Sequence, residues 1–283
     1  MRQMNDLAGV LLLDEAQVRW FALVLVFAGF AAWEAVAPQR DVDRIAPRWG
    51  VVVVLLVLGS LLTRAVFPVL TVGMAAIGES ARFGLLHRAH WPWLAESVVA
   101  IVLLDLSRYW EHRLLHRVPW FWRLHRAHHS DPEFDCSTAL RFHPLEAPLT
   151  MAMHAVAIAA IGPSPATVLA YEIFFVLGAA WAHANVRVPA RLEAGLRPIF
   201  VTPGLHAIHH STGVGDADRN FSAVSIVWDR IFGTYAATSA HPGPMGFGLR
   251  DLPAGRRNAI GWLLLLPFRR LPPQRPGSRL TSP

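Results

Sequence analysis

The sequence predicts an all-α integral membrane protein. It should have about four to five transmembrane helices, including a helical hairpin, and a cytosolic helical cap holding a histidine-rich dimetal site. Three observations carry that prediction. Of 283 residues, 53% are hydrophobic and only 16% charged, against about 25% charged in ordinary soluble domains, and mean hydropathy is +0.35. Apolar runs near the ~20 residues a bilayer demands alternate with stretches rich in Arg and Trp. Histidines also recur at helical spacing: H-x3-H at His112 and His116, H-x2-H-H at His125, His128 and His129, and the latter pattern again at His206, His209 and His210.

In chain order, residues 1–18 are mixed in charge and fit a short interfacial helix. The first span runs from Trp20 to Ala37, and Pro38 stops it because proline lacks the amide a helix interior needs. The second runs from Trp49 to Leu70 around VVVVLLVLGSLL, with Arg64 near its end placed to snorkel. Residues 71–92 read as half-buried or re-entrant, with Trp91 and Trp93 as interfacial anchors and His87 and His90 as loop histidines. The third span, Leu94 to Trp110, leads into the first histidine pair. Residues 111–147 form the cap, and a helix boundary falls at His143, ahead of Pro144. Residues 148–184 make the hairpin, broken by GPSP at 162–165. Glu172 and His183 lie about three turns apart, hence on nearly one face. That face should look inward, since a lipid-facing carboxylate is costly. Residues 185–257 are polar and carry the last histidine box; 258–268 fit an interfacial helix too short to span, and the tail from Arg269 should be disordered. The expected units are therefore 1–92, membrane helices and a connecting segment; 93–257, a catalytic domain; and 258–283, an interfacial helix and tail.

All 26 basic residues are Arg, and the formal net charge is +6. An all-Arg, Ala-rich chain suggests a GC-rich bacterial genome. In a membrane protein this excess reports on orientation and headgroup contact, and no nucleic-acid motif accompanies it. With the N-terminus outside, the loop 38–48 and the regions 111–147 and 185–257 share one Arg-rich side. The positive-inside rule makes that side cytoplasmic, giving an inner-membrane protein with both histidine boxes facing the cytosol. Cys136 is the only cysteine. A disulfide framework, a Cys-held iron–sulfur cluster and a CxxC redox motif within the chain are thereby excluded, and Cys136 reads as a small buried residue. The acidic residues near the N-terminus argue against a cleavable signal peptide.

Residues three and four apart share a helix face, so each box aims several imidazoles one way. Neutral imidazole suits Fe, Zn, Cu and Ni. Eight imidazoles exceed the three or four protein ligands of a mononuclear catalytic site, which makes two metals the economical reading. The chain has neither the H-E-x-x-H of zinc peptidases nor the E-x-x-H of soluble di-iron bundles. Asp105, Tyr109, His112 and His116 fall on one face. A carboxylate in an apolar run marks a functional site by default. Asp105 either accepts a hydrogen bond from a ligand imidazole or pairs with Arg108 or another Arg.

The segments DLSRYWEHRLLH, PWFWRLHRAHHS, RFHPLE, HANV, TPGLHAIHHS and NFSAVSIVWDRIFGTY together resemble the fatty acid hydroxylase / sterol desaturase superfamily of integral membrane di-iron oxygenases. The resemblance covers Leu94 to Tyr235. It implies that His112, His116, His125, His128, His129, His206, His209 and His210 are metal ligands, with His183 in HAN a ninth and His143 in RFHP a further one. It gives Asn185 a role beside the metals, direct or through water. Where some relatives carry another hairpin histidine, this chain has Ala179. His154 matches no motif of the family, and His241 reads as a loop residue. The resemblance also implies two iron ions, O2 as co-substrate, and oxidation of an unactivated C–H bond in a fatty acyl or sterol-like lipid drawn from the bilayer, with hydroxylation as the leading outcome. Since the chain has no flavin, haem or iron–sulfur motif, an external electron donor of ferredoxin or cytochrome/reductase type is expected. Aromatics around 110–122 and 174–181 line either a lipid slot or plain core. A desaturase or an ether-lipid monooxygenase would use the same site, and spacing does not separate them. A membrane zinc hydrolase needs a general base, for which Glu111 beside His112 is the one glutamate at a box. A metal transporter fits less well, because the boxes sit in the cap.

Overall fold

Long apolar segments set the frame of the computed structural model, which describes residues 15–42, 45–241, 245–249, 252 and 256–269. Among them the chain is helical throughout, with only isolated bridges and no strand. In order come α1 (Glu15–Val36), α2 (Ile45–Val66), α3 (Thr71–Ser80), α4 (Trp93–Arg117), α5 (Pro119–His129), α6 (Glu146–Ile161), α7 (Pro165–His183), α8 (Ala190–Leu196), α9 (Pro203–His209), α10 (Val227–Ile231) and α11 (Ile260–Leu265).

Three segments are long and apolar enough to cross a membrane: α1, the run Pro47–Arg88 that holds α2 and α3, and α7. At 25 residues, α4 has the length, but Glu96, Asp105, Arg108 and Glu111 interrupt its apolar character. With 16 residues, α6 falls short of a full span. The first span begins at Glu15, because Arg19 forms ion pairs with Glu15 and with Glu172 of α7 that let it enter the helix. Most of the interfacial helix expected at 1–18, and the tail beyond Arg269, lie outside the described residues.

The expected half-buried piece is α3 with a short turn at Leu85–Arg88. Val72, Ala75 and Leu86 from it pack with Ala100 and Leu104 of α4, Ile158 and Ile161 of α6, and Val168 and Leu169 of α7. The hairpin break has local causes at three of its four residues. Gly162 ends α6 in the left-handed conformation, while Ser164 caps α7 by accepting from the Thr167 amide, ahead of Pro165 in the first turn. A Cβ on Gly84 would stand 2.5 Å from the Gly162 Cα, so this crossing admits no side chain at either position.

Buried charge fixes the segment that follows α5. Arg48 is fully buried. Its Nε donates to Asp131 Oδ1 at 2.9 Å, its Nη2 to Asp131 Oδ2 at 3.1 Å and its Nη1 to Asp135 Oδ2 at 2.8 Å. Arg141 donates to the Ala127 carbonyl and the Ser130 hydroxyl. The segment after α5 is thus pinned from two sides. In α11 and the turn after it, Trp262, Leu263 and Leu266 pack on Leu55 of α2, while Leu265 and Phe268 are exposed.

Candidate metal centre

Four helices deliver the histidines to one place. His112 and His116 sit one turn apart at the end of α4, His125, His128 and His129 on α5, His183 as the last residue of α7, and His206, His209 and His210 on and just after α9. They form two groups, each with ring nitrogens within 4.8 Å of one another: His112, His116, His125, His129 and His209; and His128, His183, His206 and His210. Each H-x2-H-H box therefore divides between the groups. His125 and His129, four apart, go to the first and His128 to the second; His209 goes to the first and His206 and His210, four apart, to the second. The shared face expected for all three histidines of a box gives way to two faces, because a residue three or four along returns to one side and its neighbour does not.

Hydrogen bonding assigns four of the tautomers. His112 Nδ1 donates to the Phe221 carbonyl at 2.6 Å, His209 Nδ1 to the Arg219 carbonyl at 2.8 Å, and His125 Nδ1 to Glu146 Oε1 at 2.7 Å. Each Nε2 then carries a lone pair. Yet His112 Nε2 stands 3.1 Å from both His125 Nε2 and His209 Nε2. In the second group His183 Nδ1 donates to the Ala179 carbonyl at 2.8 Å. Its Nε2 lies 3.2 Å from His206 Nε2, 3.2 Å from His210 Nε2 and 3.3 Å from His128 Nε2. In the first group, where Nδ1 of His112, His125 and His209 is already used, the Nε2 lone pairs converging at 3.1 Å repel unless a cation lies among them. Metal–nitrogen bonds of about 2.1 Å at right angles would separate neighbouring nitrogens by about 3.0 Å, close to what is found. Protonation is not the alternative. Burial pushes the His125 imidazole down to about 3, and burial, reinforced by neighbouring imidazoles, holds His128, His129, His206, His209 and His210 far below the ordinary histidine range. The residues present fit a pair of metal ions.

The carboxylate that orients a ring is Glu146, not Asp105. Glu146 is buried at the start of α6 and accepts from His125. Asp105 Oδ2 instead accepts from the Trp228 indole at 2.8 Å, tying α4 to α10. Asn185 likewise faces away from the rings: its Oδ1 accepts from the Arg40 amide and its Nδ2 donates to the Arg40 carbonyl. It fastens the end of α7 to the loop after α1. His143 belongs to neither group, since its Nε2 donates to the Leu264 carbonyl and its Nδ1 accepts from the Leu145 amide. His154, His87, His90 and His241 also stand outside both groups. A second support missed in the sequence is Asp229, which accepts from the Phe221 and Ser222 amides and the Thr234 hydroxyl. It thereby sets the carbonyl that His112 meets. Glu146 and Asp229 could have been found by the rule applied to Asp105, a carboxylate among apolar neighbours.

A cavity of about 490 Å³ opens from the rings into the helical bundle. Its walls include His112, His125, His128, His183 and His206 at one end, apolar Met151, Phe175 and Phe221 along its sides, and Arg19, Thr71, His154 and Glu172 farther in. Glu172 and His183 both line it, as their common face predicts. A second cavity of about 360 Å³ between α1, α2 and α7 shares Arg19, Thr63 and Glu172 with it.

The sequence model of the fatty acid hydroxylase family matches residues 97–234. Human alkylglycerol monooxygenase is 32% identical over 155 residues, 55% of this chain and 33% of that protein. An ornithine lipid hydroxylase of Rhizobium tropici is 27% identical over 169 residues, 56% of this chain and 49% of that protein. A very-long-chain aldehyde decarbonylase of Oryza sativa subsp. indica is 32% identical over 184 residues, 61% of this chain and 29% of that protein. The chain thus spans about a third to a half of the length of these relatives. No solved structure matches it.

Proposed function

The chain belongs, through residues 97–234, to the fatty acid hydroxylase family, and on that premise we propose that it is a membrane-bound, O2-dependent oxygenase with two non-haem irons, hydroxylating an unactivated C–H bond of a lipid. The observation that carries the proposal is the pair of imidazole groups, their ring nitrogens converging within 4.8 Å of one another, at the head of a largely apolar cavity. His112, His116, His125, His129 and His209 would hold one iron, and His128, His183, His206 and His210 the other. Bound there, the irons supply the reduction of O2 and the oxidant for C–H cleavage. The chain's residues supply the rest. Carbonyls of Phe221, Arg219 and Ala179 and the carboxylate of Glu146 hold the rings in register. Met151, Phe175 and Phe221 keep the reacting carbon out of water and align an acyl or alkyl chain with the rings. The lipid enters from the bilayer by the side cavity between α1 and α2. Electrons come from a separate donor at the Arg-rich face, which in this reading is cytoplasmic in a bacterial inner membrane.

The likeness to human alkylglycerol monooxygenase favours one variant of this reading, oxidation of an ether lipid at the same centre. Product analysis with an alkylglycerol and an acyl lipid side by side separates the two.

The test of the core proposal is metal content of detergent-purified protein expressed with iron. Wild type should hold about two metal ions per chain. The double variant His128→Ala/His209→Ala, which removes one ring from each group, should lose them. One ion or none in the wild type overturns the di-iron reading.

A further inference from the structure

Deep in the cavity the charged groups pair among themselves. Arg19 Nη1 meets Glu172 Oε2 at 2.6 Å and its Nη2 donates to the Thr71 hydroxyl at 2.9 Å. Arg108 Nη1 donates to both oxygens of Glu111, at 2.9 and 3.0 Å. One side chain is left over. His154 is 1% exposed and lines the same cavity, yet neither of its ring nitrogens has a hydrogen-bond partner among the described residues. Its Nε2 stands 3.8 Å from Glu172 Oε1, beyond hydrogen-bond reach. A buried polar group without a partner costs about 1–3 kcal/mol. Its place is informative: His154 lies two turns down α6 from Glu146, the residue that holds His125, or about 12 Å at the helical rise.

We propose that His154 is the core of a recognition subsite for a hydroxyl group on the lipid substrate, set about 12 Å along α6 from Glu146, the residue that holds His125. The chemistry selects the hydroxyl. Whichever tautomer it takes, a neutral imidazole presents one donor and one acceptor, and a hydroxyl complements both at once. An ester or ether oxygen only accepts. A carboxylate or phosphate would need a free cation beside His154, and both arginines lining this cavity, Arg19 and Arg108, already face a carboxylate. Ionisable groups inside a membrane protein characteristically mark the path of a substrate. The Arg19–Glu172 pair stands where the side cavity joins the main one, so a lipid entering laterally passes beside His154. The substrate class is then a hydroxylated lipid rather than a plain acyl or alkyl chain, with the oxidised carbon held at the rings while the hydroxyl is bound below.

This inference rests on the proposed lipid oxygenase but is tested by binding. The metal-loaded protein in phosphatidylcholine nanodiscs is titrated with 1-hexadecanol and with n-heptadecane, its hydroxyl-to-methyl counterpart, and binding is read from intrinsic tryptophan fluorescence. The alcohol should bind about ten-fold more tightly in the wild type, as a pair of net hydrogen bonds allows. That preference should vanish in His154→Phe and persist in His154→Gln, which keeps a donor and an acceptor. Equal binding of the two probes by the wild type, or an alcohol preference that survives His154→Phe, overturns the subsite. Metal content measured on the same samples distinguishes the two failures. Absent metal strikes the oxygenase reading, whereas lost discrimination with metal in place strikes the subsite alone.

Discussion

Glu146 is the residue on which the first histidine group leans hardest. It holds His125 through a 2.7 Å bond inside the protein, fixing the tautomer that leaves Nε2 free. Glu146→Ala should weaken metal retention about 10- to 100-fold. Dialysis against a graded chelator series, with metal content as readout, checks this; unchanged retention would mean the ring is held by packing alone. The residue scale also shows where sequence logic runs out. His143, Asn185 and Asp105 all sit in the resemblant segments or on the expected face, yet each is turned to a backbone group or an indole. Motif membership records that a side chain is needed, whereas its direction depends on partners that are distant in sequence. Asp105 meets Trp228, 123 residues away, and no local spacing encodes that.

Among the elements, α2 does more than supply a segment long and apolar enough to span. Its Arg48 forms ion pairs with both Asp131 and Asp135, and those residues follow His128 and His129 closely. Arg48→Ala would leave two buried carboxylates without the guanidinium that pairs with both, a loss of about 3 kcal/mol, since Asp131 keeps the Thr138 hydroxyl and Asp135 the Ser137 amide and hydroxyl. Thermal unfolding in detergent should show a clear drop in midpoint, partly restored by adding Asp131→Asn. A midpoint within a degree or so of wild type would mean water reaches the pair. Helix positions were legible because apolar runs, Pro38, GPSP and Gly162 punctuate them. The short helices were less so: α9 has seven residues, too few to be stable alone, and it owes its form to the Thr202 cap and to the packing of Leu205 with Val201 and Ile226.

For the molecule as a whole, the all-helical membrane architecture and the convergence of the histidine boxes follow from composition and period. The division of each box between two groups, and the cavity below them, depend on how four helices meet. The proposed orientation has a direct check. In a Cys136→Ala background, a single cysteine at exposed Arg191 should react with a membrane-impermeant maleimide only after the cells are opened. One at exposed His90 should react in cells whose outer membrane alone is permeabilised. The reverse pattern would put the histidines on the outer side.

The meeting of imidazoles has a topological side as well. His112 and His209 are 97 residues apart, His128 and His183 55, and His183 and His210 27. Ions bound at both groups would close these loops at once. A covalent link across a loop of about 100 residues removes roughly 4–5 kcal/mol of unfolded-chain freedom. With Cys136 as its one thiol, this sequence can form no disulfide within itself, and chelation would serve as its staple, joining the α4 end of the bundle to the segment after α7.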